Sequence, residues 1–249
     1  MARISLVIPT RNERDNIVAL LDAVRAAMSG RDFEIWVVDD DSPDRTWELV
    51  SAYALSHPEV FVLRRFGERG LSSAVVAGFK SAQGGVLAVM DADHSHDPHL
   101  LPRLIDAIDL GADVAVGSRR VPGGGAENWK WHRRRTSDLA TSLTKLLLPA
   151  PLSDPMSGYF ALRRDVFESV SGALQGKGYK ILLEIVCRAR PVRMVELPYM
   201  FRDRRQGISK LTPKVAAQFL RSLWNLRRTR QRALRAQAIQ EAHQWRIRN

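Results

Sequence analysis

Two aspartates one residue apart, Asp91 and Asp93, follow directly on the apolar run Val86 to Met90. Paired oxygen donors at a strand end suit a hard divalent cation that keeps part of its water shell and bridges substrate phosphates. A lone D-x-D more often ends a strand or caps a following helix, here one starting near Pro98, so its neighbours must decide. His94, His96 and His99 lie alongside, but their spacing matches neither C-x-x-C nor H-E-x-x-H, and a phosphate-bridging site favours oxygen ligands over zinc's nitrogen and sulfur. For His96 the residues leave two readings, hydrogen bonding behind the ligands or a surface histidine.

The elements that must position this pair are legible upstream and downstream. ISLVIPT, FEIWVVDD, VFVLRR, VLAVMDAD and DVAVGSR are short β-rich runs, and helical periodicity such as Ile17, Leu20, Leu21, Val24 fills the gaps between the first four. This alternation predicts an α/β fold with a mostly parallel sheet flanked by helices. Ligands of such sheets sit beyond the carboxyl ends of the strands. Three runs end there in chemistry: Thr10-Arg11-Asn12-Glu13, Asp39-Asp40-Asp41-Ser42 and Asp91-Ala92-Asp93. Gly123 to Gly125 reads as a mobile loop and Pro149 to Pro155 as a connector.

With 249 residues and 45% hydrophobic content, the chain can bury one catalytic core with an appendage, and we expect a catalytic domain over 1–211 and a basic, amphipathic helical tail over 212–249. The single cysteine, Cys187, excludes an intramolecular disulfide and fits a reducing compartment. No run of 18 apolar residues occurs, so the expectation is a cytoplasmic protein with no transmembrane segment, peripheral on the cytoplasmic face of a membrane. The net charge of +11 calls for a polyanionic partner, whether nucleic acid, anionic lipid or phosphorylated substrate. The surplus is concentrated in residues 119–135, a local +5, and in residues 226–249, where seven arginines face Glu241 alone.

Read in order, PTRNERDNI, VVDDDSPDRT, MDADHSHDP, GSRR, SDPMSGYFALRR, GYKILLEI and DRRQGISK resemble the dolichyl-phosphate (polyprenyl-phosphate) mannose synthases over residues 3 to 211. These are inverting glycosyltransferases of family two with the Rossmann-like GT-A fold. The resemblance implies a GDP-mannose donor, a polyprenyl monophosphate acceptor and Mg²⁺ or Mn²⁺ as cofactor. It places the nucleotide-sugar pocket on Pro9, Arg11, Glu13, Val38, Asp40 and Ala92, with Asp93. Arg11 departs from the tyrosine common there and could stack on the base or reach phosphate, while Asp40 could accept from a guanine edge. Asn12 and Glu13 could equally cap the helix ahead of Ile17.

Asp91 and Asp93 fall on the metal-holding pair. Ser95 stands where some relatives place a glutamine ligand, a weaker donor that leaves room for water. Arg119, Arg133 and Ser137 resemble the clamp for the lipid phosphate, guanidinium forks matching phosphate oxygens, whereas Arg120 and Arg135 read as a solvated face. Arg204 and Lys210, in DRRQGISK with Gly207 as hinge, resemble a loop whose cations stabilise the departing diphosphate. Asp154 and Glu184 lie in family motifs, where they could position sugar, shape the acceptor site or be buried structural acids.

Two segments suggest a lipid surface. SDLATSLTKLLL is too short to span and reads either as an interfacial helix or as an ordinary core helix. Val215, Phe219, Leu220, Leu223, Trp224 and Leu226 recur at helical spacing before an arginine run, a stripe that either enters the interface or packs on the catalytic domain. Both segments would dock on an anionic membrane surface, and recruitment by a separate membrane subunit stays open. A polyprenyl-phosphate glucosyltransferase, or a synthase of another polyprenyl-phosphate sugar, is the alternative. A processive synthase would show Q-x-x-R-W, and Ser222 stands where that motif needs tryptophan. A basic nucleic-acid-binding module is a remote alternative that no RNA or DNA signature supports, so no nucleic acid partner is expected.

Overall fold

In the computed structural model, residues 3–127, 131–148, 152–176, 180–189, 192–202 and 223–228 are described, apart from the side chains of 132–134, 136 and 147. The first half alternates strand and helix as its periodicity predicts: β1 (Ile4–Thr10), α1 (Arg14–Ala27), β2 (Phe33–Asp39), α2 (Thr46–Ala54), β3 (Val60–Arg64), α3 (Leu71–Ser81) and β4 (Val86–Val89). A short 3₁₀ turn at Pro98–Leu100 leads into α4 (Leu101–Asp109), followed by β5 (Val114–Ser118) and β6 (Gly125–Ala126). The second half holds α5 (Trp131–Leu147), β7 (Phe160–Arg163), α6 (Arg164–Ser171), α7 (Ile181–Arg188), β8 (Met194–Pro198) and β9 (Met200–Phe201).

Seven strands form one sheet in the order β3-β2-β1-β4-β7-β5-β8, parallel except for β7, which runs antiparallel to both neighbours. Side chains on β1 alternate between two apolar layers, as a strand period of two demands. Ile4, Leu6 and Ile8 pack with Ile17, Leu20, Leu21 and Val24 of α1 and with α4. Val7 faces the other way, toward α3, α6 and α7. The sheet is thus covered on both faces, and its polar chemistry is confined to its ends.

The antiparallel strand matters for the site. Because β7 points backward between β4 and β5, the loop that precedes it arrives at the same edge as the carboxyl ends of those two strands. A separate parallel pair, β6 with β9, sits beside that edge. The helical turn at 223–228 buries Leu223 and Leu226 against Leu148, Leu183 and Cys187. At these two positions the tail's apolar stripe therefore packs on the catalytic domain; Val215, Phe219 and Leu220 lie outside the described residues. Among the described residues no helix is long and apolar enough to cross a membrane.

Candidate active site

Among the described residues four non-glycine positions adopt left-handed backbone angles, and all four lie in loops at the carboxyl ends of β1, β2 and β4: Asn12, Asp41, Arg45 and His94. Strain of this kind persists where surrounding contacts over-determine a loop. Those contacts are visible in the run Asp39-Asp40-Asp41, whose members do three different jobs. Asp39, fully buried, accepts from Thr10 Oγ1 (3.0 Å), Ser42 N (2.8 Å) and Ser42 Oγ (2.7 Å), stapling the first two strand ends together. Asp41 pairs with Arg64 on the surface, where Arg64 also stacks over Trp47 at 3.8 Å.

Asp40, the member placed in the nucleotide pocket, turns inward. Its Oδ1 accepts from Arg65 Nε (2.8 Å) and Nη2, and its Oδ2 from Gly70 N (2.8 Å). Gly70 needs its φ of 142° to present that N–H. Any base edge therefore shares Asp40 with two protein donors. Pro9 and Val38 are register partners at the ends of β1 and β2, one strand spacing apart. Arg11 Nη1 is buried with no hydrogen-bond partner among the described residues, a donor left for a ligand to satisfy. Glu13 occupies the N-cap position of α1 but makes no side-chain cap; its Oε2 accepts from Asn16 Nδ2 at 2.8 Å.

At the end of β4, Asp91 and Asp93 flank the buried Ala92. Asp93 is itself buried and accepts from Ser95 N (3.1 Å), while the Asp91 carboxylate is 23% exposed toward the cleft. Ser95 Oγ is buried and has no hydrogen-bond partner among the described residues. Two carboxylates and an unsatisfied hydroxyl are an all-oxygen donor set of the kind Mg²⁺ or Mn²⁺ takes.

The three histidines diverge. His94 Nε2 reaches Asn16 O on α1 (3.1 Å), and His99 is exposed. His96 is buried, stacked on Tyr159 with ring centroids 4.8 Å apart and met edge-on by Tyr199 and Phe201. Its Nδ1 accepts from Asp91 N (3.1 Å), so it fixes the backbone of the carboxylate pair.

The end of β5 carries Arg119. Its Nε and Nη2 grip Asp154 side-on at 2.6 and 2.8 Å, and Asp154 is fully buried. Burial pulls the Arg119 pKa down, yet the hydrogen bonds and charge of Asp154 outweigh it and leave the guanidinium above its usual range. Tyr199, just beyond β8, feels the same cluster. Burial pushes its phenol well up, Arg119 opposes, and the Asp154 and Asp91 carboxylates add to the rise. Arg119 and the Asp91 carboxylate therefore belong to one electrostatic cluster.

Ser137, on α5, accepts from Arg120 Nη2 (3.0 Å), with Asp138 on Arg120 Nη1 (2.7 Å). Arg120 is thus paired at a partly exposed corner. Glu184 accepts from Gln175 N and Arg188 Nε as a buried structural acid. Burial lowers the Lys180 ammonium to about 7. The Arg133 side chain, Arg204 and Lys210 lie outside the described residues.

The glycosyl transferase family 2 model matches residues 5–171, from β1 through α6. The chain belongs to that family. It is 46% identical over 226 residues to the dolichol-phosphate mannosyltransferase of Pyrococcus furiosus, covering 90% of this chain but only 63% of that protein's length. It is 41% identical to the polyprenol monophosphomannose synthase of Mycolicibacterium smegmatis, covering 84% of this chain and 81% of the relative. The dolichol-phosphate mannosyltransferase of Saccharomyces cerevisiae is 37% identical over 89% of this chain and 86% of its own length.

Among solved structures, glucosyl-3-phosphoglycerate synthase from Mycobacterium tuberculosis matches with a TM-score of 0.69 at 18% identity. The match covers 92% of this chain and 80% of that one, and the neighbour was solved with Mn²⁺, UDP and glucosyl-3-phosphoglycerate. That likeness establishes a shared fold, of the GT-A type.

Residues that sequence reasoning did not place in the site support it from behind: Arg65 on Asp40, Tyr159 and Tyr199 against His96, and Asp154 gripping Arg119. Nothing in the spacing of Arg65 separates it from its neighbour Arg64; only the fold turns one inward and the other out. Tyr159 lies in SDPMSGYF, and Tyr199 in a stretch that carries no quoted motif. Asp154 had a signal, its place in SDPMSGYF, but spacing alone could not say what it faces.

Proposed function

We propose that this chain is an inverting glycosyltransferase that moves mannose from GDP-mannose to a polyprenyl (dolichyl-type) monophosphate. The observation that carries the reading is the convergence, at one sheet edge, of the Asp91/Asp93 oxygen set with Arg119, an arginine buried except for 15% of its side chain. A nucleotide diphosphate needs the first and an anionic acceptor the second. The names borne by relatives at 37–46% identity support mannose as the sugar and a polyprenyl phosphate as the acceptor.

Mg²⁺ or Mn²⁺ held by Asp91 and Asp93, with Ser95 or a water on it, would supply charge neutralisation for the departing nucleoside diphosphate. The chain's own residues do the rest. Pro9, Val38 and Asp40 set the base pocket, with Arg11 and Glu13 at its mouth. His96 holds the Asp91 backbone. Arg119, with Arg133 and Ser137, fixes the acceptor phosphate, whose oxygen is already anionic near neutral pH and attacks the anomeric carbon opposite the nucleotide. No general base is then needed, and positioning and electrostatics supply the acceleration. Arg204 and Lys210 add cations over the diphosphate.

The acceptor is a membrane lipid, and the outer face of α5 suits delivery from an anionic bilayer at the cytoplasmic surface. This helix is inverted relative to a core helix: Thr141 and Thr144 are buried, their hydroxyls bonded to Ser137 O and Ala140 O, while Trp131, Leu139 and Leu146 are 70, 62 and 79% exposed. Arg135 stacks over Trp131, and Arg228 over the half-exposed Trp224 of the 212–249 tail. Aromatic and basic groups at the margin of an apolar stripe are what a headgroup layer accommodates.

The test is an assay with membrane polyprenyl phosphates and a panel of GDP-mannose, UDP-glucose and UDP-N-acetylglucosamine, scoring lipid-linked sugar. Mannose transfer from GDP-mannose alone is expected. Glucose transfer from UDP-glucose would move the assignment to the alternative synthase, and salt-sensitive RNA binding without turnover would reject the enzyme reading altogether.

A further inference from the structure

The mechanism above leaves Asp154 without a role of its own, yet it is among the most completely enclosed acids in the molecule. Its Oδ2 accepts from Arg119 Nε (2.6 Å) and from Arg119 N (3.2 Å), and its Oδ1 from Arg119 Nη2 (2.8 Å). The carboxylate therefore takes the side-on edge of the guanidinium. The end-on edge, between Nη1 and Nη2, is the one whose geometry matches two oxygens of a phosphate.

Asp154 is in turn anchored from behind. Glu196 on β8 accepts from Ser153 N (2.6 Å) and Asp154 N (3.0 Å) through its two oxygens. Four residues further along the same loop, a Cβ added to Gly158 would stand 3.1 Å from Asp91 Oδ2, so the loop backbone lies directly against the metal-side carboxylate. Ser157 fastens the loop between these points by donating to Gly117 O at 2.7 Å.

We propose that Asp154 is a positioning residue for the acceptor: it holds Arg119 side-on so that the end-on edge faces the lipid phosphate, and loop 153–159 sets that arginine in register with Asp91. The inference rests on the transferase reading and adds to it a specific role for a residue that touches neither substrate. It also separates Asp154 from general-base chemistry. Both of its oxygens are turned to Arg119 in a site closed to solvent, and a phosphate acceptor brings no proton that must be removed.

Asp154→Asn preserves shape but turns one N–H₂ group toward the guanidinium. With a short-chain polyprenyl phosphate, this variant should show a KM for the acceptor raised about tenfold or more. The dissociation constant for GDP and the shape of the kcat–pH profile should stay at wild-type values. The Asp154→Asn/Arg119→Ala double variant should be no worse than Arg119→Ala alone, because one residue acts through the other.

Calorimetric binding of the same polyprenyl phosphate gives a readout without turnover, and Asp154→Asn should bind it correspondingly more weakly. If wild type binds the lipid phosphate but transfers no sugar, the transferase reading fails while the binding comparison still judges Asp154. Should Asp154→Asn not fold, Glu196→Gln loosens the same loop from behind and should raise the acceptor KM severalfold. A collapse of kcat at unchanged KM, with one limb of the pH profile lost, would make Asp154 a base and overturn the proposal. Unchanged acceptor KM and affinity in Asp154→Asn, or in Glu196→Gln where that is the variant read, would also overturn it.

Discussion

Two buried arginine–aspartate pairs flank the D-x-D motif, and they are built for different ends. On the donor side, Arg65 and Asp40 are 5 and 7% exposed, and the arginine is saturated: it also reaches Glu68, Ser73 and Gly70 O. On the acceptor side, Asp154 is sealed while Arg119 keeps part of its side chain at the cleft. The first pair is a closed network that shapes a pocket with its carboxylate. The second uses a closed carboxylate to aim an arginine outward. A buried ion pair is weak proof of stability, since desolvation offsets much of the attraction. In the proposed reading, what distinguishes these two is which partner faces the ligand.

The largest expected effect lies between the pairs. Asp91→Asn or Asp93→Asn should abolish transfer while thermal unfolding stays near wild type, because each removes a carboxylate from the cation site without disturbing either arginine. Chelation of wild type with EDTA should have the same consequence. Near-normal turnover by either variant in the presence of EDTA would show that charge at the strand end is not what unites the two sides.

Next in size is the contrast between the arginines themselves. Arg65→Met leaves Asp40 buried without its counter-charge, and breaking a buried pair from one side costs about 3–5 kcal/mol. Arg119→Met strands the fully enclosed Asp154 in the same way, so it should cost stability to a similar degree, and it alone should also raise the acceptor KM. Chemical denaturation of both variants, set beside steady-state kinetics, reads the two quantities separately. An equal acceptor KM in the two variants would erase the distinction between a closed and an open pair.

The two sides also differ in how much their sequence discloses. The donor side is made of consecutive β-α units, so apolar runs and helical periodicity suffice to predict β1 to β4 and to place Asp40, Asp91 and Asp93 at strand ends. The acceptor side depends on β7, an antiparallel strand inserted between β4 and β5 from far along the chain. Local pattern cannot announce that insertion. Residues 149–155 accordingly read as a connector, although Leu152 and Asp154 are buried in the wall of the site. For the same reason the resemblance could propose Arg119 as a phosphate-binding arginine, while nothing local announces that Asp154 grips it. In α5 the composition leaves interfacial and core readings open; the structure adds that Thr141 and Thr144 are buried while Leu139 and Leu146 are exposed.

The smallest effect concerns what lies outside the two pairs. Each side exposes large apolar groups: Phe66, 68% exposed beside Arg64 on the donor side, and Leu139 and Leu146 on the acceptor side. If the open pair faces a lipid acceptor, only the acceptor-side groups should matter for docking. Leu139→Gln with Leu146→Gln should weaken flotation on anionic liposomes without lowering thermal stability, since neither side chain is in the core. Arg227→Gln with Arg228→Gln should weaken it further by about 1 kcal/mol per charge at low salt, an increment that added salt removes. Leu223 and Leu226 are not suitable for this test because they are buried against Leu148, Leu183 and Cys187, so replacing them disturbs packing along with any docking. Phe66→Ser on the donor side serves as the control, with flotation expected to stay at the wild-type level. If Phe66→Ser released the protein from liposomes while the α5 double variant did not, the donor side would face the bilayer, and the acceptor would have to reach Arg119 from solution.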